Sequence, residues 1–107
     1  MTIAAIAFSE TGMALGQRLM ESVPDMTLHR CDHGELASWT ADSFTRNDAL
    51  LFIGSAGIAV RAIAPHVVSK TSDPAVVVMD ELGTYAIPVL SGPSRPRRKG
   101  RGYRWRW

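Results

Sequence analysis

Cysteine is almost absent from this 107-residue sequence, which contains Cys31 alone. One cysteine excludes an internal disulfide and is typical of a protein from a reducing compartment. No apolar run approaches the ~20 residues that span a bilayer, and the apolar start from Met1 to Phe8 lacks the basic residues of a secretory signal. The sequence therefore predicts a cytoplasmic protein with one small domain.

Motifs that bind phosphate or carry a nucleophile are missing as well. The chain has no Walker loop, no Gly-x-Gly-x-x-Gly and no nucleophile elbow. His29, Cys31 and His33 alternate, so an extended backbone would put them on one face, where two histidines can share a zinc ion. Nothing supplies the third ligand or the paired spacing of zinc sites, and we predict no metal site and no cofactor.

Acidic residues are missing from one end of the chain. Residues 93–107 contain seven basic residues and no acid, whereas residues 1–92 contain all ten acidic residues and only five basic ones. The two regions therefore carry net charges of +7 and −5, which the overall value of +2 conceals. We predict a folded body over residues 1–92 and a basic, disordered tail over residues 93–107.

The clearest pattern lies in the middle of the sequence. Leu50 to Ile53 is a continuous apolar run that predicts a buried strand, and Gly54 to Gly57 predicts a tight turn. A helical period then begins, with a predicted apolar face that consists of Ala56, Ala59, Val60, Ile63, Ala64 and Val67. This strand–turn–helix unit leaves the first amides of the helix unpaired above the end of the strand, where open α/β sheets bind ligands; an ordinary packing turn is the alternative.

Strands and helices alternate along the rest of the chain. Further strands are predicted over residues 2–8, 26–30, 75–79 and 85–90, with helices after residue 9 and around residues 36–44. The connection between the last two strands is too short for a crossover, so they form a hairpin. The fold class is α/β: a layered domain with a mainly parallel sheet, helices on both faces and one C-terminal β-hairpin.

Three groups of polar and small residues are candidates for a site at one end of this sheet. The first group is the turn Gly54, Ser55, Ala56 and Gly57 with Arg61, whose guanidinium can hold a carboxylate. The second is Asp73, Asp80 and Glu81, which are candidate general bases, although Asp80 and Glu81 also fit a simple polar turn. The third is Ser91 and Gly92.

Three ordered segments resemble one family. They are residues 51–65 (LFIGSAGIAVRAIAP), residues 72–83 (SDPAVVVMDELG) and residues 87–92 (IPVLSG). They resemble the N-terminal domain of the CbiG family, the cobalt-precorrin-5A hydrolases of anaerobic cobalamin synthesis, and residues 3–15 match that pattern more loosely.

The resemblance covers about residues 2–92 and implies a role in opening a δ-lactone on a cobalt corrinoid, with release of acetaldehyde. It implies a cobalt-precorrin substrate with many carboxylates, cobalt that belongs to the substrate, and contact with other enzymes of corrin synthesis. Gly54 to Gly57, Arg61, Ser91 and Gly92 would then bind substrate, and one of Asp73, Asp80 and Glu81 would activate water.

The sequence departs from the family after Gly92. Family members continue with His-Leu-Gly, whereas this chain continues with Pro93-Ser94-Arg95, as a one-base insertion would produce. We expect a truncated or frameshifted chain with an incomplete active site. The alternative takes the tail at face value: arginines interleaved with Tyr103, Trp105 and Trp107 are typical of a nucleic-acid-binding or interaction module.

Overall fold

The computed structural model describes residues 1–93, and the predictions about the basic tail lie outside those residues apart from Pro93. The strands are β1 (Ile3–Ala7), β2 (Met26–Arg30), β3 (Ala49–Ile53), β4 (Ala75–Met79) and β5 (Ala86–Ser91). The helices are α1 (Glu10–Ser22), α2 (Leu36–Arg46) and α3 (Ala56–Ile63), and a 3₁₀ turn at Ala64–His66 follows α3. No helix in residues 1–93 is long and apolar enough to cross a membrane.

The five strands form one sheet in the order β2-β1-β3-β4-β5. The first four strands are parallel, and β5 returns antiparallel to β4 with a bulge between Val76 and Val77. The predicted α/β class, the mainly parallel sheet and the final hairpin are therefore confirmed. Ile53 at the end of β3 lies beside Met79 at the end of β4, and Ala75 at the start of β4 lies beside Ser91.

Helices cover both faces of the sheet. Every residue of β1, β3 and β4 is buried, which explains why these strands are continuous apolar runs rather than alternating ones. One face packs against α1 through Leu15, and the other packs against α2 and α3 through Phe44 and Ile63. Phe52 is fully buried in the core between the sheet and helices α2 and α3. The ring centroids of Phe52 and Trp39 lie 5.7 Å apart in an edge-to-face arrangement.

The predicted apolar face of the third helix is wrong in most positions. Ala59 and Ile63 are buried, but Val60 is 47% exposed and Val67 is 46% exposed. Ala56 and Ala64 are exposed too. A helix of eight residues contacts the sheet through one i, i+4 pair, so the remaining apolar side chains of this segment face outward.

Candidate functional site

The carboxyl ends of the four parallel strands lie along one edge of the sheet, which we call the carboxyl edge. The segment after β3 meets the segment after β4 there, because the Gly54 N–H donates to the Met79 carbonyl at 2.9 Å. The next residue, Asp80, donates its N–H to the Tyr85 carbonyl at 3.2 Å. The hydrogen bond from Gly54 brings this residue next to Met79 and therefore close to Asp80, the residue that follows β4.

The start of α3 exposes its amides at this edge. Ser55 occupies the N-cap position with extended backbone, but its hydroxyl makes no capping hydrogen bond. By contrast, the Ser9 hydroxyl at the start of α1 accepts from the Gly12 N–H at 3.0 Å. Ser55, Ala56 and Gly57 are exposed, and the first N–H groups of a helix have no hydrogen-bond partner within the helix.

Gly54 allows a close approach between β3 and the end of β1. A Cβ atom at this position would lie 3.1 Å from the Phe8 ring, so a larger residue would push the ring or the turn aside. The small-residue turn is thus needed for packing, which was the alternative interpretation, and it also leaves the amides uncovered. The two interpretations are compatible at this turn.

The two carboxylates after β4 have different surroundings. Asp80 Oδ1 accepts from the Tyr85 N–H at 2.6 Å and Asp80 Oδ2 accepts from the Leu82 N–H at 3.3 Å, so this side chain shapes the hairpin turn. The Glu81 carboxylate is half-buried and makes no hydrogen bond or ion pair with residues 1–93. Of these two carboxylates, Glu81 is therefore the one that has no partner among residues 1–93.

The other predicted site residues lie at the opposite edge, and the expectation that all three groups share one end of the sheet is wrong. Asp73 lies just before β4. Because β4 is parallel to β3, the start of β4 lies beside the start of β3, at the edge opposite to the carboxyl edge. Ser91 and Gly92 end the antiparallel β5 and lie beside Ala75. The four-residue rise from Ala75 to Met79 separates the two edges by about 13 Å.

Asp73 has a structural role at this second edge. Its side chain is 7% exposed, and Oδ2 accepts from the Val68 N–H at 2.9 Å and from the Ser69 N–H at 3.1 Å. The carboxylate therefore holds the loop between the 3₁₀ turn and β4. Gly92 has a structural role too, because its φ is +78° and a Cβ atom there would lie 3.0 Å from the Ala75 nitrogen.

Arg61 lies in the last turn of α3, so it is farther from the carboxyl edge than the residues of the first turn. It is exposed, and its guanidinium makes no ion pair or hydrogen bond within the described part of the chain. Five residues of helix place its Cα about 7.5 Å along the axis from Ala56. The Cα–Cβ bonds of a helix tilt toward its N-terminus, so the Arg61 side chain starts out in the direction of the first turn of α3.

Glu35 is a polar residue at this edge that sequence reasoning missed. Its Oε1 accepts from the Asp32 N–H at 2.8 Å and lies 3.4 Å from His29 Nε2, which joins the end of β2 to the start of α2. The Asp32 N–H lowers the pKa of Glu35, and His29 lowers it further. The spacing Asp32-x-x-Glu35 resembles a capping box and was the available signal.

Cys31 lies beside this pair and is not an activated thiol. Burial raises the pKa of Cys31, and the charges of Glu35 and Asp32 raise it further. Its thiol donates to the Asp32 carbonyl at 3.4 Å. Across residues 1–93, no group of three histidine, cysteine or acidic side chains has the geometry to hold a metal ion, and this includes His29, Cys31 and His33.

Comparisons with known proteins match the same body of the chain. The family model described as cobalamin synthesis G, N-terminal, matches residues 38–96. The Salmonella typhimurium cobalt-precorrin-5A hydrolase is 41% identical over 85% of this chain. The chain belongs to the CbiG N-terminal family.

Other members of the CbiG family give the same picture. The Priestia megaterium cobalt-precorrin-5A hydrolase is 49% identical over 46% of the chain and 13% of its own length. A cobalamin biosynthesis protein G homolog from Sulfolobus solfataricus has the same fold, with a TM-score of 0.70 and 29% identity over 85% of this chain. The chain spans 28% of the Salmonella protein and 29% of the Sulfolobus one.

Proposed function

We propose that this chain is the N-terminal domain of a cobalt-precorrin-5A hydrolase and takes part in cobalamin biosynthesis. The supporting observation is the 41% identity to the Salmonella typhimurium hydrolase over 85% of the chain. The Sulfolobus solfataricus homolog supports the same assignment by its fold, with a TM-score of 0.70. The reaction is hydrolytic opening of a lactone on the corrinoid followed by release of acetaldehyde.

The carboxyl edge suits a substrate that carries many carboxylates. The unpaired amides at the start of α3 and the free Ser55 hydroxyl donate hydrogen bonds, and the positive end of the helix dipole favours an anion. Arg61 adds a charged donor with two parallel N–H groups. In this proposal these groups hold one acetate or propionate of the corrinoid, and the cobalt ion arrives as part of the substrate.

Glu81 is our candidate for the residue that activates water. Its carboxylate has no partner among residues 1–93, whereas both Asp80 oxygens accept backbone hydrogen bonds and Asp73 lies at the other edge of the sheet. A free, half-buried carboxylate can accept a proton from water as the water attacks the lactone carbonyl. We therefore place Glu81 next to the lactone and Ser55 next to a substrate carboxylate.

A chimera tests this proposal. Residues 1–92 of this chain replace the matched segment of the Salmonella typhimurium hydrolase, and acetaldehyde release from cobalt-precorrin-5A is measured. We expect activity in the chimera and a loss of kcat of about 10²–10⁴-fold in Glu81→Gln. The control, Glu21→Gln, changes an exposed glutamate in the last turn of α1 and should retain full activity.

Two results would contradict the proposal. A folded chimera without acetaldehyde release would mean that this domain does not serve the reaction. An active chimera that is insensitive to Glu81→Gln would remove Glu81 from the mechanism and leave the domain assignment intact.

A further inference from the structure

An apolar groove lies away from the carboxyl edge, on the face of the sheet that packs against α2 and α3. It is a cavity of about 340 Å³ between the loop that follows the 3₁₀ turn and strand β5. Val67, Val68, Val89 and Leu90 form its apolar lining, and we call it the β5 groove. It lies at the edge of the sheet opposite to the carboxyl edge, since Ser91 and Gly92 line it as well.

The most exposed apolar side chain of the groove is held rigidly. Val68 is 83% exposed, yet its N–H is bound by the buried Asp73 carboxylate at 2.9 Å. The loop is closed further by the Asp73 N–H, which donates to the Ser69 carbonyl at 2.9 Å. The exposed valine contributes no burial of apolar surface in this domain, and it would contribute if another surface covered it.

A neighbouring side chain extends this apolar surface. Ile87 of β5 is 51% exposed and lies opposite Val78, which belongs to the core beneath α2 and α3. Strand β5 is only partly buried, whereas β1, β3 and β4 are completely buried. The end of the sheet at β5 is therefore an incompletely covered core.

The groove lies at the end of β5, where the described polypeptide leaves the sheet. Gly92 lines the groove, and its close packing on Ala75 fixes where the polypeptide leaves the sheet. The family match is N-terminal, and this chain spans only 28% of the Salmonella hydrolase, so the remaining polypeptide of that relative attaches after this point. The following domain is thus tethered directly at the groove, at a high effective concentration.

We propose that the β5 groove is the surface on which the next domain of full-length CbiG proteins packs, with Val68 inserted among apolar side chains of that domain. This inference rests on the proposed function only in assuming that the chain works as part of such a hydrolase. It assigns Asp73 a reason for its burial: the carboxylate holds the docking loop in shape.

Hydrogen exchange in the chimera and in the 107-residue chain tests the proposal. We expect the amides of residues 67–70 and 89–91 to exchange about tenfold more slowly in the chimera, because the next domain covers them. Val68→Asp should restore the fast exchange of the isolated chain. The matched control is Leu82→Asp, which changes a side chain that is 75% exposed in the β4–β5 turn at the carboxyl edge and should leave the protection unchanged.

Several outcomes would overturn the docking proposal. The first is equal exchange in the chimera and in the 107-residue chain, and the second is protection in the chimera that survives Val68→Asp. The third is protection in the 107-residue chain that grows with its concentration. The fourth is protection in the 107-residue chain that disappears when residues 94–107 are deleted. The third would show a second copy in the groove, and the fourth would show the tail there. Protection without acetaldehyde release would refute the proposed function alone.

Folding of the variants is controlled separately. Val68→Asp in the 107-residue chain should unfold at the same temperature as the parent, since the side chain is exposed. If the chimera does not fold, the same exchange measurement on the Sulfolobus solfataricus homolog, at the segment that superimposes on residues 67–70, decides the proposal. Rapid exchange of that segment in the homolog would refute it.

Discussion

At the scale of single residues, three nearby carboxylates of the sequence have three different roles. Asp73 holds a loop through two backbone N–H groups, Asp80 holds a hairpin turn, and Glu81 has no partner within residues 1–93. The sequence alone does not distinguish the roles of these three carboxylates, because each lies next to a predicted strand and each fits a polar turn. Their hydrogen bonds distinguish them.

The Asp73 side chain should be needed for stability. Asp73→Ala leaves two backbone N–H groups of the 68–69 loop without their acceptor, and we expect it to lower the free energy of unfolding by about 2–4 kcal/mol. Asp73→Asn retains one acceptor oxygen and should cost about 1–2 kcal/mol less than alanine. Urea unfolding of the 107-residue chain measures both, and a change below about 0.5 kcal/mol in Asp73→Ala would contradict the role.

Glu35 should make stability depend on pH in the acidic range. Its pKa in the folded protein is below the ordinary value of 4.5, so its contribution is complete above that value and disappears as the pH falls through the lowered pKa. We therefore expect Glu35→Gln to be less stable than the parent at pH 7, with a difference that shrinks as the pH falls below 4.5, as measured by urea unfolding. Glu21→Gln, at an exposed position of α1, is the control. A pH-independent difference would contradict the pKa shift.

At the scale of secondary structure elements, the starts of α1 and α3 differ: the first is capped by a side chain and the second is not. The α1 start is capped by the Ser9 hydroxyl, whereas Ser55 at the start of α3 makes no such bond. Both serines follow a parallel strand and occupy the N-cap position of the next helix. In the turn before α3, Gly54 lies close to the Phe8 ring and Ser55 is exposed.

The two N-cap serines should therefore respond differently to alanine. Ser9→Ala removes an acceptor from the first turn of α1 and should lower the free energy of unfolding by about 1 kcal/mol. Ser55→Ala removes no hydrogen bond and should change it by less than about 0.5 kcal/mol. Thermal or urea unfolding of the 107-residue chain compares them, and equal losses would show that Ser55 caps α3 in solution.

At the scale of the whole molecule, the strand directions divide the predicted site residues between two edges. Gly54 to Gly57 and Glu81 lie at the carboxyl edge, and Ser91 and Gly92 lie at the opposite one. A substrate held at the carboxyl edge does not contact both sets across about 13 Å of sheet unless it wraps around the domain. In our proposals, the first set binds substrate and the second lies at the domain-packing surface.

This division predicts which substitutions change substrate affinity. In the chimera, Arg61→Ala should raise KM about tenfold, because a carboxylate of the corrinoid loses a charged donor worth roughly 1.4 kcal/mol. Ser91→Ala, at the opposite edge, should leave KM within about twofold of the parent value. Steady-state acetaldehyde release measures both. A larger effect of Ser91→Ala than of Arg61→Ala on KM would mean that our proposal puts the substrate at the wrong edge of the sheet.

The sequence by itself determined the elements, because apolar runs and helical periods are local. The runs at Leu50–Ile53 and Ala75–Met79 are strands, the final hairpin follows from its short connection, and the motifs from Leu51 to Gly92 identified the family. Only the tertiary structure decided which residues share an edge, because that depends on strand direction and register. In the structure, Asp73, Ser91 and Gly92 lie at the edge of the sheet opposite to the turn after β3. Val60, Val67 and Val68 are exposed, because the burial of a side chain depends on which surfaces meet in space.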